Sequence, residues 1–145
     1  MSHISKVQMR IDDLDALADA AEALGLELRR DQKQWKYYAG KKSKCHAAIV
    51  DASNPAAYEV GVVAVDGQYE LAHDDYAGGM GMVAKTGRAC KRLLVEYGVA
   101  KTKRLARAKG WRYREERREN GEVKCYVTPP GNYGQSKAAT TGKRW

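Results

Sequence analysis

An α+β domain, built as a mostly antiparallel sheet with two helices packed on one face in the manner of a split βαβ unit, is predicted by three features of these 145 residues. Apolar residues recur at helical spacing in two stretches, Leu14 to Leu24 and Cys90 to Ala108. Elsewhere they alternate in short runs, and two pairs of runs meet at the hairpin dipeptides Asp66-Gly67 and Asn120-Gly121. Such hairpins join antiparallel neighbours.

Taken in order, Val7, Met9 and Ile11 alternate and predict a first strand with one buried face. Asp12 is placed to cap a helix, with Asp15 three residues on, and Leu14, Leu17, Ala18, Ala21 and Leu24 continue it until Gly25. Leu26 and Leu28 open a second strand. The text RRDQKQWKYYAGKKSK then breaks any apolar pattern and reads as an exposed strand extension and loop, basic and aromatic together. CHAAIV and YEVGVVAV are strands on either side of a turn at Ser53-Asn54-Pro55, and YEVGVVAV is expected to pair with QYELA.

A glycine-rich stretch from His73 to Gly87 leads into the longest helix, with Cys90, Leu94, Tyr97, Leu105 and Ala108 expected on one buried face and Gly110 as its stop. Trp111 and Tyr113 begin a strand, and Val123, Cys125 and Val127 return along a hairpin into the sheet, which Pro129-Pro130 ends. Residues 1–130 are therefore expected as one domain, followed by a flexible basic tail at 131–145.

A chain of this length can bury a core without disulfides or metal. Its three cysteines, Cys45, Cys90 and Cys125, are widely spaced and read as reduced, the last two as small core residues. No run approaches the roughly 20 apolar residues that span a bilayer. The opening lacks the apolar core of a secretion signal, so no membrane partner and a cytoplasmic location are expected.

Charge is segregated along the chain. The net +8 arises from two segments: Arg29 to Lys44 carries seven basic residues against Asp31, and Lys85 to Arg118 carries thirteen against three glutamates. Two other stretches are acidic, with six carboxylates and two cations from Met1 to Leu28, and six carboxylates without Lys or Arg from Cys45 to Ala84. A directional field of this kind attracts polyanions or an oppositely charged protein surface.

Four candidate sites follow. Gly79 to Thr86 matches a Walker A loop except for Ala84, which puts a side chain where the phosphate cradle needs its last glycine. The antiparallel hairpins also argue against the strand that such a loop follows. A plain anion site at Lys85, Thr86 and Arg88 is the alternative for that stretch. Cys45, His46, His73, Asp74 and Asp75 have metal-ligand chemistry, and Cys45, His73 and Asp75 could be drawn as a nucleophile, base and orienter. Neither carries the expectation, and no metal, cofactor or catalytic residue is assigned.

The basic surface carries most. Lys101, Lys103, Arg104 and Arg107 fall on the outward side of the long helix, and Arg112 and Arg114 alternate with Trp111 and Tyr113 so as to point away from the helices. Arg29, Arg30, Lys33, Lys36, Lys41, Lys42 and Lys44 surround Trp35, Tyr37 and Tyr38. Cations hold phosphates and interleaved rings stack unpaired bases, so nucleic acid, with a single strand favoured, is the expected partner.

Several segments together resemble a known family. The opening MSHISKVQ before a capped helix, the hairpin DGQYELA, the helix LLVEYGVAKTKRLARAKGW and the closing NGEVKCYV are similar, in order and spacing, to the hypothetical chloroplast open reading frame 35 proteins. That family is also called domain of unknown function 1257 and occurs in plastids, cyanobacteria and many bacteriophages. The likeness spans most of the chain outside residues 30–44 and the tail. Where the family commonly carries tryptophans, this chain reads HDDYAGGMGMVAKTG. The resemblance implies the fold and a phage origin, hence a host cytoplasm, but no established activity. The function expected is a non-enzymatic basic module that binds nucleic acid. Two alternatives are a phage protein that binds and redirects a host protein or defence complex, and a small-ligand binder or enzyme using residues 74–87. A sheet edge offers a route to a homo-oligomer.

Overall fold

The computed structural model describes residues 4–7 and 9–131, together with the backbone of 137–141. The chain runs β1 (Ile4–Lys6), α1 (Leu14–Ala23), β2 (Glu27–Arg29), β3 (Gln34–Lys36), β4 (Lys42–Lys44), β5 (Ala47–Val50), β6 (Val60–Val65) and β7 (Gln68–Asp74). It continues through α2 (Met82–Thr86), α3 (Lys91–Lys109), β8 (Arg112–Arg117), β9 (Val123–Thr128) and β10 (Lys137–Thr141). Five strands form the central sheet in the order β1-β7-β6-β5-β2, each pair antiparallel. The long helices α1 and α3 pack side by side on one of its faces, so the chain is an α+β fold of the predicted kind.

Alternation along the strands sorts residues between two cores. Ile49, Val60, Val62 and Leu71 face the helices, where they meet Leu17, Leu93, Leu94 and Tyr97. Ala48, Val50 and Ala72 face the other way and are covered by Trp35 and Tyr37. With both faces covered, β5 is buried throughout, which is why its four residues, AAIV, are all apolar. Helices, sheet and the β3-β4 hairpin thus form three layers. Among the described residues no helix is long and apolar enough to cross a membrane.

Five local expectations change. The first strand is Ile4–Lys6; beyond it the chain leaves the ladder and returns at an isolated Ile11–Tyr69 bridge, taking five residues from Lys6 to Ile11 while β7 takes three from Ala72 to Tyr69. Asp13, not Asp12, caps α1, accepting the Ala16 amide at 3.0 Å. Asp12 pairs with Lys101 instead, at 2.6 Å.

On α3 the residues from Leu93 to Ala100 are all buried, between α1 and the sheet on one side and Val123 and Cys125 of β9 on the other. Beyond Ala100 only Ala106 is buried, and Leu105 and Ala108 are exposed. Periodicity sets which residues share a face, whereas the reach of the packing partners sets where that face stays covered. The C-terminal strands also do not join the central sheet. They form a separate sheet, β10-β9-β8, against α3. Tyr113 points inward from it, while Arg112 and Arg114 are exposed.

Within the segment read as a tail, 137–141 pair antiparallel with β9, Lys137 opposite Val127 and Thr141 opposite Val123. Residues 132–136 and 142–145 lie outside the described residues.

Candidate nucleic-acid interface

The segment Arg29 to Lys44, expected as an exposed strand extension and loop, ends β2 at Arg29 and then forms an ordered hairpin, β3-β4, laid over the sheet. Its register sets Gln34 opposite Lys44, Trp35 opposite Ser43 and Lys36 opposite Lys42. Because side chains alternate, Trp35 and Ser43 face inward and the other four positions outward. Trp35 is 1% exposed and Tyr37 is also buried; their rings lie 4.9 Å apart, and the Ser43 hydroxyl donates to the Tyr37 oxygen at 3.1 Å. Neither ring presents a face to solvent, so the expectation that they stack on bases is overturned by the apolar sheet face they cover.

The outward positions give a basic groove of about 810 Å³ between the hairpin and its flanks, lined by Lys33, Lys36, Lys42, Lys44 and Gln34, with the Glu59 carboxylate at one side. Glu59 is engaged in holding the hairpin, accepting the Lys36 amide and the Gln32 side-chain amide, each at 2.8 Å. Lys33 donates to the carbonyls of Arg30 and His46, at 3.0 and 2.8 Å, and Lys36 to that of Pro55 at 2.5 Å. Opposed lysines at 36 and 42 would repel, and the Pro55 carbonyl draws one of them aside. Lys41, Lys42 and Lys44 are exposed, and no carboxylate of a described residue pairs with them.

The hairpin tip is anchored from below. Asp74, at the end of β7 and buried, accepts the Tyr38 amide through Oδ2 at 3.2 Å and the Tyr76 amide through Oδ1 at 3.0 Å. One carboxylate therefore joins two segments remote in sequence. The two rings meet edge to face, with centroids 5.0 Å apart. Tyr76 begins a left-handed turn in which Ala77, Gly78, Gly79 and Met80 all have φ between 52° and 67°. Two of these lack the freedom of glycine, and the turn is held by its carbonyls: the Tyr58 amide donates to Gly79 at 2.9 Å and the Asn54 side chain to Met80 at 3.2 Å.

The second basic region sits on the other side of the sheet, and several of its cations are matched by carboxylates of the same chain. Lys101 pairs with Asp12 at 2.6 Å, Arg104 with Asp19 at 2.7 Å and Lys103 with Glu115 at 3.5 Å. Asp12 is held below the usual carboxylate range by its bonds from Lys101 and Tyr97, and Lys101 is raised by Asp12. Arg30 and Arg29 are likewise paired, with Asp15 at 2.6 Å and Glu27 at 3.5 Å. Arg114 lies over the Tyr126 ring at 4.0 Å, and Arg107 and Arg112 are exposed. Acidic α1 and the basic end of α3 thus answer each other, and the chain's charge segregation is partly spent inside the fold.

The glycine-rich stretch is similarly self-satisfied. Lys85 pairs with Asp51 at 2.8 Å, Thr86 donates to the Met82 carbonyl at 3.2 Å, and Arg88 is exposed. These three do not converge on a common point. Asp75 bonds the His73 ring at 2.8 Å and takes the Ala89 amide at 2.8 Å. Cys45 lies with the hairpin core, its thiol pushed up by burial and by Glu59, whereas His73 alternates with Ala72 onto the helix side. A Cys45-His73-Asp75 nucleophile arrangement is therefore not assembled, and no cluster of metal-ligating side chains forms among the described residues. Cys90 is buried, its thiol raised to about 12 by desolvation.

Tyr76 is the residue that the sequence reading passed over. It stands alone among aspartates and glycines, and only the fold brings it beside Tyr38. No family model matches the chain, nor does any curated protein or solved structure.

Proposed function

We propose that this chain is a basic binding module that holds nucleic acid along the outer face of the β3-β4 hairpin, chiefly through phosphate contacts. The observation that carries this reading is a contrast between cations: Lys101, Lys103 and Arg104 of α3 are matched by carboxylates of the same chain, while Lys41, Lys42 and Lys44 lie together on one hairpin, exposed and without one among the described residues. A row of unmatched ammonium groups beside an open groove binds polyanions by charge and by release of condensed counterions. The burial of Trp35 and Tyr37 supports the same division of labour, since those rings fix the platform on which the lysines stand.

Charge reversal separates binding from folding. The triple variant Lys41→Glu, Lys42→Glu, Lys44→Glu is expected to lose binding to labelled DNA and RNA while keeping its thermal midpoint, because the three side chains are exposed. Reversal of Lys101 and Arg104 instead breaks pairs with Asp12 and Asp19 and is expected to lower stability with little direct effect on binding. Undiminished binding by the hairpin variant would overturn the proposal.

A further inference from the structure

We infer that Tyr76, supported by Tyr38, is a stacking platform for unpaired bases at the end of the lysine face, which makes the bound strand single rather than duplex; this rests on the reading of the hairpin as the nucleic-acid surface.

Four observations converge. Tyr76 is 49% exposed although its backbone is rigidly held, and exposed aromatic surface on a fixed main chain is what a stacking site needs. Its partner Tyr38 meets it edge to face with ring centroids 5.0 Å apart, which steadies the ring. Asp74 holds both amides, so the pair moves as a unit. The platform also adjoins the cations: the Lys41 amide donates to the Tyr38 carbonyl at 3.1 Å, placing Lys41 at the end of the turn that leads away from the rings and Lys42 at the start of β4. Beyond Tyr76, the left-handed turn leaves Met80 49% exposed, extending the apolar surface.

Both flanking carboxylates are engaged within the fold. Asp74 is turned to the two amides and Asp75 to His73 and the Ala89 amide. A base on Tyr76 with its phosphates trailing over Lys41 and Lys42 is the arrangement by which single-strand binders combine ring stacking with charge.

The test compares oligonucleotides of equal phosphate number on the full chain: a single-stranded thymidine tract, the same tract with abasic sites, and a duplex. Fluorescence anisotropy is expected to show the abasic strand bound about tenfold more weakly than the thymidine tract, within the range measured for loss of one stacked base. Tyr76→Ala should impose a similar loss on the thymidine tract, leave the abasic strand unchanged, and be rescued by Tyr76→Trp. Equal affinity for thymidine and abasic strands would overturn the stacking site while leaving the lysine face intact. Absence of binding by all three would overturn both. The abasic comparison uses the unaltered protein, so a folding defect in a variant does not decide the outcome.

Discussion

Trp35 lies where a side chain on Gly61 would have to be: a β-carbon added at Gly61 would sit 2.4 Å from Trp35 Cδ1 and 2.6 Å from Nε1. The glycine second in β6 is thus the seat for the indole, and the hairpin can lie flat on the sheet only because position 61 is bare. A glycine inside a strand often marks such a close approach.

Gly61→Ala should therefore lift the hairpin rather than disturb the helices. Overpacking of this kind costs about 1–3 kcal/mol. Chemical denaturation followed by circular dichroism should show that loss, with a red shift of the tryptophan emission in the folded state as Trp35 gains water. An unchanged midpoint and spectrum would mean that the indole does not occupy this seat.

Asp74 offers a local test at the other end of the hairpin. Asp74→Ala strips an acceptor from the Tyr38 and Tyr76 amides together, and loss of bonds to a buried charged group costs about 1–3 kcal/mol. Hydrogen exchange is expected to speed up at both amides and in the left-handed turn, with protection in α1 and α3 retained. Faster exchange at only one of the two amides would contradict their shared anchor.

The Asp51–Lys85 pair predicts a pH dependence with a definite sign. Asp51 is held below the ordinary carboxylate value, first by the bond from Lys85 and then by that from Ser53. A carboxylate lowered in the folded state adds stability that is present above its unfolded value, about 3.9, and is lost as pH falls through the folded one. Asp51→Asn should accordingly be about 1–2 kcal/mol less stable than the parent at pH 7. That gap should close towards pH 3. Parallel urea titrations at the two pH values measure it, and a gap that widens in acid would contradict the assignment.

Much of the fold is legible in the sequence because hairpin dipeptides and periodicity are local signals. Asp66-Gly67 and Asn120-Gly121 sit at the predicted turns, and Gly25 and Gly110 end the helices with φ of 75° and 67°. The failures concern tertiary choices. Whether Asp12 or Asp13 caps α1 depends on Tyr97 and Lys101, some 85 residues away, which claim Asp12. Leu105 is exposed because the structure that covers α3 stops short of it, a fact no helical pattern contains. At the candidate site, the text QWKYYAGKKSK announces the cations but conceals which way the rings turn. Reading its alternation as a hairpin, with Trp35 and Ser43 on one side and lysines on the other, needs the register that the sheet face imposes. Tyr76 acquires its place only through Asp74, and that link has no signature in the sequence.

The most direct measurement of the central claim is the salt dependence of single-strand binding, compared between the parent protein and the variant with Lys41, Lys42 and Lys44 changed to Gln. For single strands the logarithm of the binding constant falls with the logarithm of salt concentration by about 0.7 per phosphate contacted. Removing three contacts should make the slope shallower by about 2, with the fold unaltered. Identical slopes in the two proteins would place the phosphate contacts elsewhere and contradict the account.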